Sequence, residues 1–199
     1  MARASHDLHG SAPDKSEAAL LLIDVINDFD FPEGDELLRL ARPVGKNIAE
    51  LKKRAKDAGI PCIYVNDNFG KWQSDFKKLV AHCTADDAKG KDFVKQVVPN
   101  DDDYFVLKPK HSGFYSTTLD LLLTHLSAKN LLLTGIAGNN CVLFTANDAY
   151  MRDFKVFVPE DCAVSNTEEE NRYALKQMET VLKADTTPSA QLDLKALSS

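Results

Sequence analysis

Hydrophobic positions in this chain fall into two rhythms. Five short runs, ALLLI at 19–23, CIYV at 62–65, YFVL at 104–107, LLL at 131–133 and VFV at 156–158, carry little polar alternation. That is the pattern of strands covered on both faces, and it predicts a parallel sheet. Between the runs the spacing changes to three and four. Leu37, Leu40, Val44, Ile48, Leu51, Ala55 and Ala58 mark one helix, stopped by Gly59 and Pro61. Leu119, Leu122, Leu123 and Leu126 mark another. A last helix is predicted from Thr167, where TEEE offers a capping box with Glu170, carrying Tyr173, Met178, Val181 and Leu182 inward.

The alternation of strands and helices predicts an α/β fold in one domain, residues 17–199, preceded by a flexible tail over 1–16. Residues 189–199 also read as a loosely held tail. The second connection, roughly Asn66 to Asp103, exceeds an ordinary strand-helix joint and has room for two short amphipathic helices. Its FGKWQSDF segment is a candidate lid.

Composition narrows the partners. Against 24 basic residues stand 30 acidic ones, a formal net charge of -6, so no basic surface is available for nucleic acid. The longest apolar stretch, about Ala18 to Ile23, is too short to span a membrane. The polar start MARASHDLHGSAPDKSE lacks a signal-peptide core, and a cytoplasmic location is expected. The four cysteines, Cys62, Cys83, Cys141 and Cys162, form no CxxC pair and read as reduced thiols.

In an open parallel sheet, ligands bind beyond the carboxyl ends of the strands. After the first strand comes Asp24; after the second, Asn66, Asp67 and Asn68; after the third, Lys108, Lys110, His111 and Ser112; after the fourth, GIAGNNC and Cys141. Singly, each has a bland reading: a turn carboxylate, a solvated lysine, a buried cysteine. Together they place an acid, a cation and a thiol on one edge. A thiol with an ordinary pKa near about 8.5 is mostly protonated at neutral pH, so a helix N-terminus or a nearby cation is needed to favour thiolate. The strand-turn-helix context of Cys141 is expected to supply the first and Lys108 the second.

These motifs resemble the isochorismatase-like cysteine hydrolase superfamily, which includes nicotinamidases, carbamoyl-sarcosine amidohydrolases and ureidoacrylate amidohydrolases. LLLIDVINDF matches the strand that ends in the catalytic Asp, KPKHSGF the catalytic Lys motif, and TGIAGNNCVLFTANDA the nucleophile turn. The resemblance implies a three-layer α-β-α, Rossmann-like fold with a mostly parallel six-stranded sheet in order 3-2-1-4-5-6. Its last strand would be a short one near Ala184 to Thr186.

It further implies Asp24, Lys108 and Cys141 as catalytic residues. The backbone N–H groups of Ala137 and Cys141 become an oxyanion hole beside a cis Ile136–Ala137 bond. The activity implied is hydrolysis of a small amide, ureido or carbamoyl substrate through a Cys141 thioester, without an organic cofactor, in a homo-oligomer such as a dimer or tetramer. Phe29, Phe31, Trp72, His111, Phe114 and Asn140 are the candidate substrate walls.

Two departures matter. Ile26 stands where members often have Gln, and Asp67-Asn68-Phe69 replaces the Asp-x-His of metal-dependent nicotinamidases, so no catalytic metal is expected. The competing readings are an isochorismatase-type vinyl-ether hydrolase, whose Asp works without a thiol, and a non-catalytic binding protein on the same fold.

Overall fold

The computed structural model describes residues 14–69 and 75–199. Trp72, the tip of the FGKWQSDF segment and the first thirteen residues of the expected tail lie outside the described residues. In chain order the elements are β1 Ala18–Ile23, α1 Gly34–Asp57, β2 Cys62–Asp67, α2 Phe76–Cys83, α3 Lys91–Val94, β3 Tyr104–Lys108, α4 Leu119–Leu126 and β4 Asn130–Ile136. They continue with a π-helical turn Gly138–Val142, α5 Leu143–Tyr150, β5 Lys155–Phe157, β6 Ala163–Val164, α6 Glu168–Val181, a 3₁₀ turn Ser189–Gln191 and α7 Leu194–Leu197.

All strand pairs are parallel, in order β3-β2-β1-β4-β5. Every residue of β1 is buried, and the pleat explains why its run shows no alternation. Ala18, Leu20 and Leu22 pack with α1, α3 and α7, whereas Ala19, Leu21 and Ile23 pack with α4, α5 and α6. Each fully buried leucine contributes roughly 1.5–3 kcal/mol, so the central strand anchors both layers.

The far edge is shorter than the resemblance implied. The strand expected at Ala184 to Thr186 is reduced to a single parallel bridge, Asp185 to Phe157. Asp185 N–H donates to Val156 O at 2.9 Å and Asp185 O accepts from Val158 N–H at 2.8 Å. Pro159, which has no N–H to donate, ends β5. The chain turns and returns as β6, which pairs Ala163 with Gly135 and Val164 with Ile136. Two residues are too few to show as an apolar run, so β6 was not visible in the hydrophobic pattern.

Helix α1 has Asp35 and Glu36 in its first turn and Arg54 and Lys56 in its last, matching the helix dipole. Its last turn also holds the carboxyl-terminal segment: the Arg54 guanidinium donates to Ser189 O at 2.7 Å and to Leu192 O at 2.8 Å. Leu192 and Leu194 are buried against the α1 layer, so residues 189–199 are a docked segment rather than a loose tail.

Helix α6 begins at Thr167, whose hydroxyl accepts from Glu170 N–H at 3.1 Å, as TEEE predicted. Ala174, Met178 and Leu182 form its buried stripe, at an i, i+4 spacing. Tyr173 and Val181, expected inside, lie one position before that stripe and are 74% and 58% exposed. The long second connection contains α2 and α3 and is drawn back by the buried Lys52, whose ammonium lies 2.5 Å from Asp103 and donates to Tyr64 Oη at 2.9 Å. No helix among the described residues is long and apolar enough to cross a membrane.

Candidate active site

The strand order reverses direction at β1, with β2 on one side and β4 on the other, and ligand sites form beyond the strand ends at such a point. Here β1 stops at Asp24, which has φ +50°, the left-handed region that L-residues seldom occupy. Its N–H still bonds to Val65 O at 3.0 Å, which turns the carboxylate over the end of the sheet. There Oδ1 accepts from Asp67 N–H at 2.6 Å.

Lys108 ends β3, two strands away from β1, a span of about 10 Å. A long side chain is required to cross it. Lys108 is fully buried, and its Nζ lies 2.8 Å from Asp24 Oδ2 and 3.6 Å from Asp67 Oδ2. The register that sets Lys108 opposite Asp67 explains the second contact. Lys110 is exposed, and of the two lysines it is Lys108 that reaches Asp24.

The third group follows β4. Gly135, at φ +122°, is paired with Ile23, and a Cβ there would stand 2.0 Å from Ile23 O. Only glycine permits β1 and β4 to run this close where the chain leaves the sheet. A cis Ile136–Ala137 peptide bond follows. Next comes the π-helical turn, pinned by Ser165, whose hydroxyl accepts from Asn139 N–H at 2.9 Å and donates to Asn171 Oδ1 at 3.0 Å. Cys141 thus lies inside a π-turn that runs into α5, not ahead of the helix. Its Sγ is 3.5 Å from Lys108 Nζ and 3.9 Å from His111 Nδ1.

The electrostatics differ from the expectation that Lys108 and a helix start would favour thiolate. Burial pushes the Cys141 thiol up to about 12, and the Asp24 charge adds to this, while Lys108 only partly opposes it. Burial also raises Asp24, against the lowering pull of Lys108, the Cys141 thiol and the Asp67 N–H. Lys108 loses by burial but gains more from Asp24, Cys141 and Asp67, so its ammonium is held above the ordinary lysine range. At neutral pH the resting site therefore holds a protonated thiol beside the buried Asp24–Lys108 contact.

The other three cysteines are also pushed up to about 12, first by burial. A raised folded-state pKa favours the fold below the ordinary value and loses that contribution as pH climbs through the folded value. Stability is therefore expected to fall between about pH 9 and about pH 12. A thiolate absorbance titration alongside urea denaturation checks this; a thiol that ionises below pH 9 in the folded protein would contradict it.

Above these groups opens a cavity of about 360 Å³, lined among the described residues by Asn27, Phe31, Phe69, His111, Asn140 and Asn166 around Asp24, Asp67 and Cys141. A larger groove of about 750 Å³ runs along α1 and α6 and contains none of the three groups, so the chemistry selects the smaller one. Of the expected walls, Phe31, His111 and Asn140 face the cavity. Phe29 and Phe114 do not. Phe29 is fully buried edge-on to Phe93, with ring centroids 5.5 Å apart, and Phe114 is buried beneath the Arg152 guanidinium at 4.7 Å.

Asn27, Phe69 and Asn166 were missed by the sequence reading. Asn166 follows the two-residue β6, and recognising that strand end would have found it; Asp67 was found by the strand-end rule.

A three-layer α/β protein with a carboxylate, an ammonium and a thiol at its topological switch is the class that fold and site define. The isochorismatase domain model matches residues 18–190, and the chain belongs to the isochorismatase family. It is 46% identical over 178 residues to YaaI, an uncharacterized isochorismatase family protein of Bacillus subtilis, covering 89% of this chain and 97% of that one. An isochorismatase-like hydrolase from Alkaliphilus metalliredigens superposes with a TM-score of 0.71 at 26% identity, over 88% of each chain. A pyrazinamidase/nicotinamidase from Streptococcus mutans gives a TM-score of 0.65 at 26% identity, over 85% of this chain and 99% of that one.

Proposed function

We propose that this protein is a cysteine hydrolase that cleaves a C–N bond of a small amide, ureido or carbamoyl substrate. The observation that carries the reading is the position of the Lys108 ammonium, 2.8 Å from Asp24 and 3.5 Å from Cys141, the two groups that line a cavity of substrate size. Family membership supports hydrolytic chemistry in general.

In the proposed cycle, Cys141 Sγ attacks the carbonyl carbon as its proton passes to Asp24. The tetrahedral oxyanion is held by the N–H groups of Ala137 and Cys141, each worth roughly 3 kcal/mol in the transition state. Asp24 delivers the proton to the leaving nitrogen, the C–N bond breaks, and an acyl-thioester remains. Water, deprotonated by Asp24, then releases the acid and returns the thiol. Because the thiol is protonated at rest, Asp24 acts as a base during attack, and Lys108 favours the carboxylate's ionised form against the opposing effect of burial.

Among the described residues, the side chains at and beyond the end of β2 do not fit a catalytic metal. Asp67 turns one oxygen toward Lys108 at 3.6 Å and accepts Phe69 N–H with the other at 2.6 Å. His82 is engaged with Asp28 at 2.9 Å, and Asn68 and Phe69 offer no imidazole. No step is therefore routed through a metal, and nicotinamide is a poor substrate candidate. The proposed substrate is a small molecule, and a cytoplasmic homo-oligomer is the expected setting.

The reading is tested by screening small amides and ureas in chelator-containing buffer, quenching in acid and mapping the protein by mass. An acyl adduct confined to Cys141 is expected. Turnover with no adduct at Cys141 under any quench time would remove the thioester mechanism.

A further inference from the structure

Within the cavity, Asn140 stands immediately before the nucleophile, its backbone fixed by an N–H bond to Ala137 O at 3.0 Å. Its side-chain Oδ1 is buried and has no hydrogen-bond partner among the described residues. A buried acceptor left unpaired is costly and calls for an explanation. The other such atom among the described residues, Oε1 of Gln96, sits beside Gly45 of α1 and does not line the cavity. Asn140 alone of the two is within reach of the chemistry.

Resting on the reading of Cys141 as nucleophile, we infer that Asn140 selects substrates whose scissile group carries an N–H, namely primary or monosubstituted amides and ureas, over esters and disubstituted amides. The Asn140 carbonyl has no bond to break, so it turns about χ2 toward a ligand at little cost. With the substrate carbonyl oxygen directed to the backbone N–H donors, the substrate nitrogen lies on the side of the Asn140 carbonyl acceptor, and Asp67 lines the same cavity. An amide satisfies that side by donating. An ester sets an oxygen against an oxygen, and discrimination follows from the unpaired acceptor as much as from the lost bond.

Two alkylating reagents of nearly the same shape test this on the thiol itself, without needing the natural substrate. Iodoacetamide carries an NH₂ where methyl iodoacetate carries an ester oxygen. In both reactions the Sγ–CH₂ bond forms, iodide leaves and the thiol proton goes to buffer. Each rate at Cys141, read by peptide mapping, is divided by the same reagent's rate with glutathione.

Wild-type protein is expected to favour iodoacetamide by about tenfold, and Asn140→Leu to bring that preference to about one. Asn140→Ala serves the same purpose if the leucine variant does not fold. Asn140→Asp keeps an acceptor, so it should slow both reagents yet preserve their ratio. A wild type without preference, no reaction of Cys141 with either reagent, or an unchanged ratio in Asn140→Leu and Asn140→Ala overturns the inference. Failure of the underlying reading shows elsewhere: Cys141→Ala would still hydrolyse the amide found in the screen.

Discussion

Cys141→Ala is expected to lower amide hydrolysis by on the order of a million-fold, to the level left by binding and oxyanion stabilisation alone. The change removes one sulfur atom from a half-buried position in the π-turn. The turn is held by Ser165 and Asn171 rather than by the thiol, so folding is expected to be intact by circular dichroism. The Asp24–Lys108 contact does not involve the thiol, so it is expected to persist in the variant. That makes it the sharpest separation of the proposed chemistry from vinyl-ether hydrolysis, in which the Asp needs no thiol: a variant at full rate on isochorismate would establish the latter. Ammonia release by purified Cys141→Ala within tenfold of wild type would remove Cys141 as the nucleophile.

Lys108→Ala is expected to cost about 3–5 kcal/mol of stability at neutral pH, together with activity. The ammonium is fully buried between Asp24 and Asp67, and its loss leaves the buried Asp24 carboxylate without its cation. Asp24 is already raised in the folded protein, by burial against the pull of Lys108. Without Lys108 it rises further, and a neutral carboxyl needs no counter-charge. The sign follows: a raised acid favours the fold below its unfolded pKa and disfavours it as pH climbs through the folded one. The deficit of the variant should therefore shrink as pH is lowered from neutral into the acid range. Urea denaturation of both proteins across that range measures it. A deficit under about 1 kcal/mol at pH 7, the level of an exposed pair, would show that Lys108 is not the site's essential counter-charge.

Asp24, Lys108 and Cys141 were legible in the sequence for one reason. Each follows or closes an apolar run, and parallel strands all end on the same side of the sheet. Helices α1, α4 and α6 were legible because their contacts repeat at the helical period. Thr167 was legible because capping is local. The errors have the opposite character. Tyr173 and Val181 sit one position from the buried stripe of α6, a rotation that periodicity alone does not resolve. Phe29 and Phe114 adjoin motif residues in the chain, but the backbone turns both rings away from the cavity. β6 is held by pairing with Gly135 and Ile136, not by its own two residues.

Sequence alone therefore determined the alternation of the first five strands with helices, the sheet type, and which three reactive groups reach one edge, because these depend on spacing along the chain. Tertiary structure decided what the groups do to one another. That Lys108 lies 2.8 Å from Asp24, that Cys141 is pushed up to about 12, and that Asn140 Oδ1 is buried without a partner are matters of distance and burial. Charge interaction and desolvation depend on every element packed around a group, and most of those elements are remote in the chain.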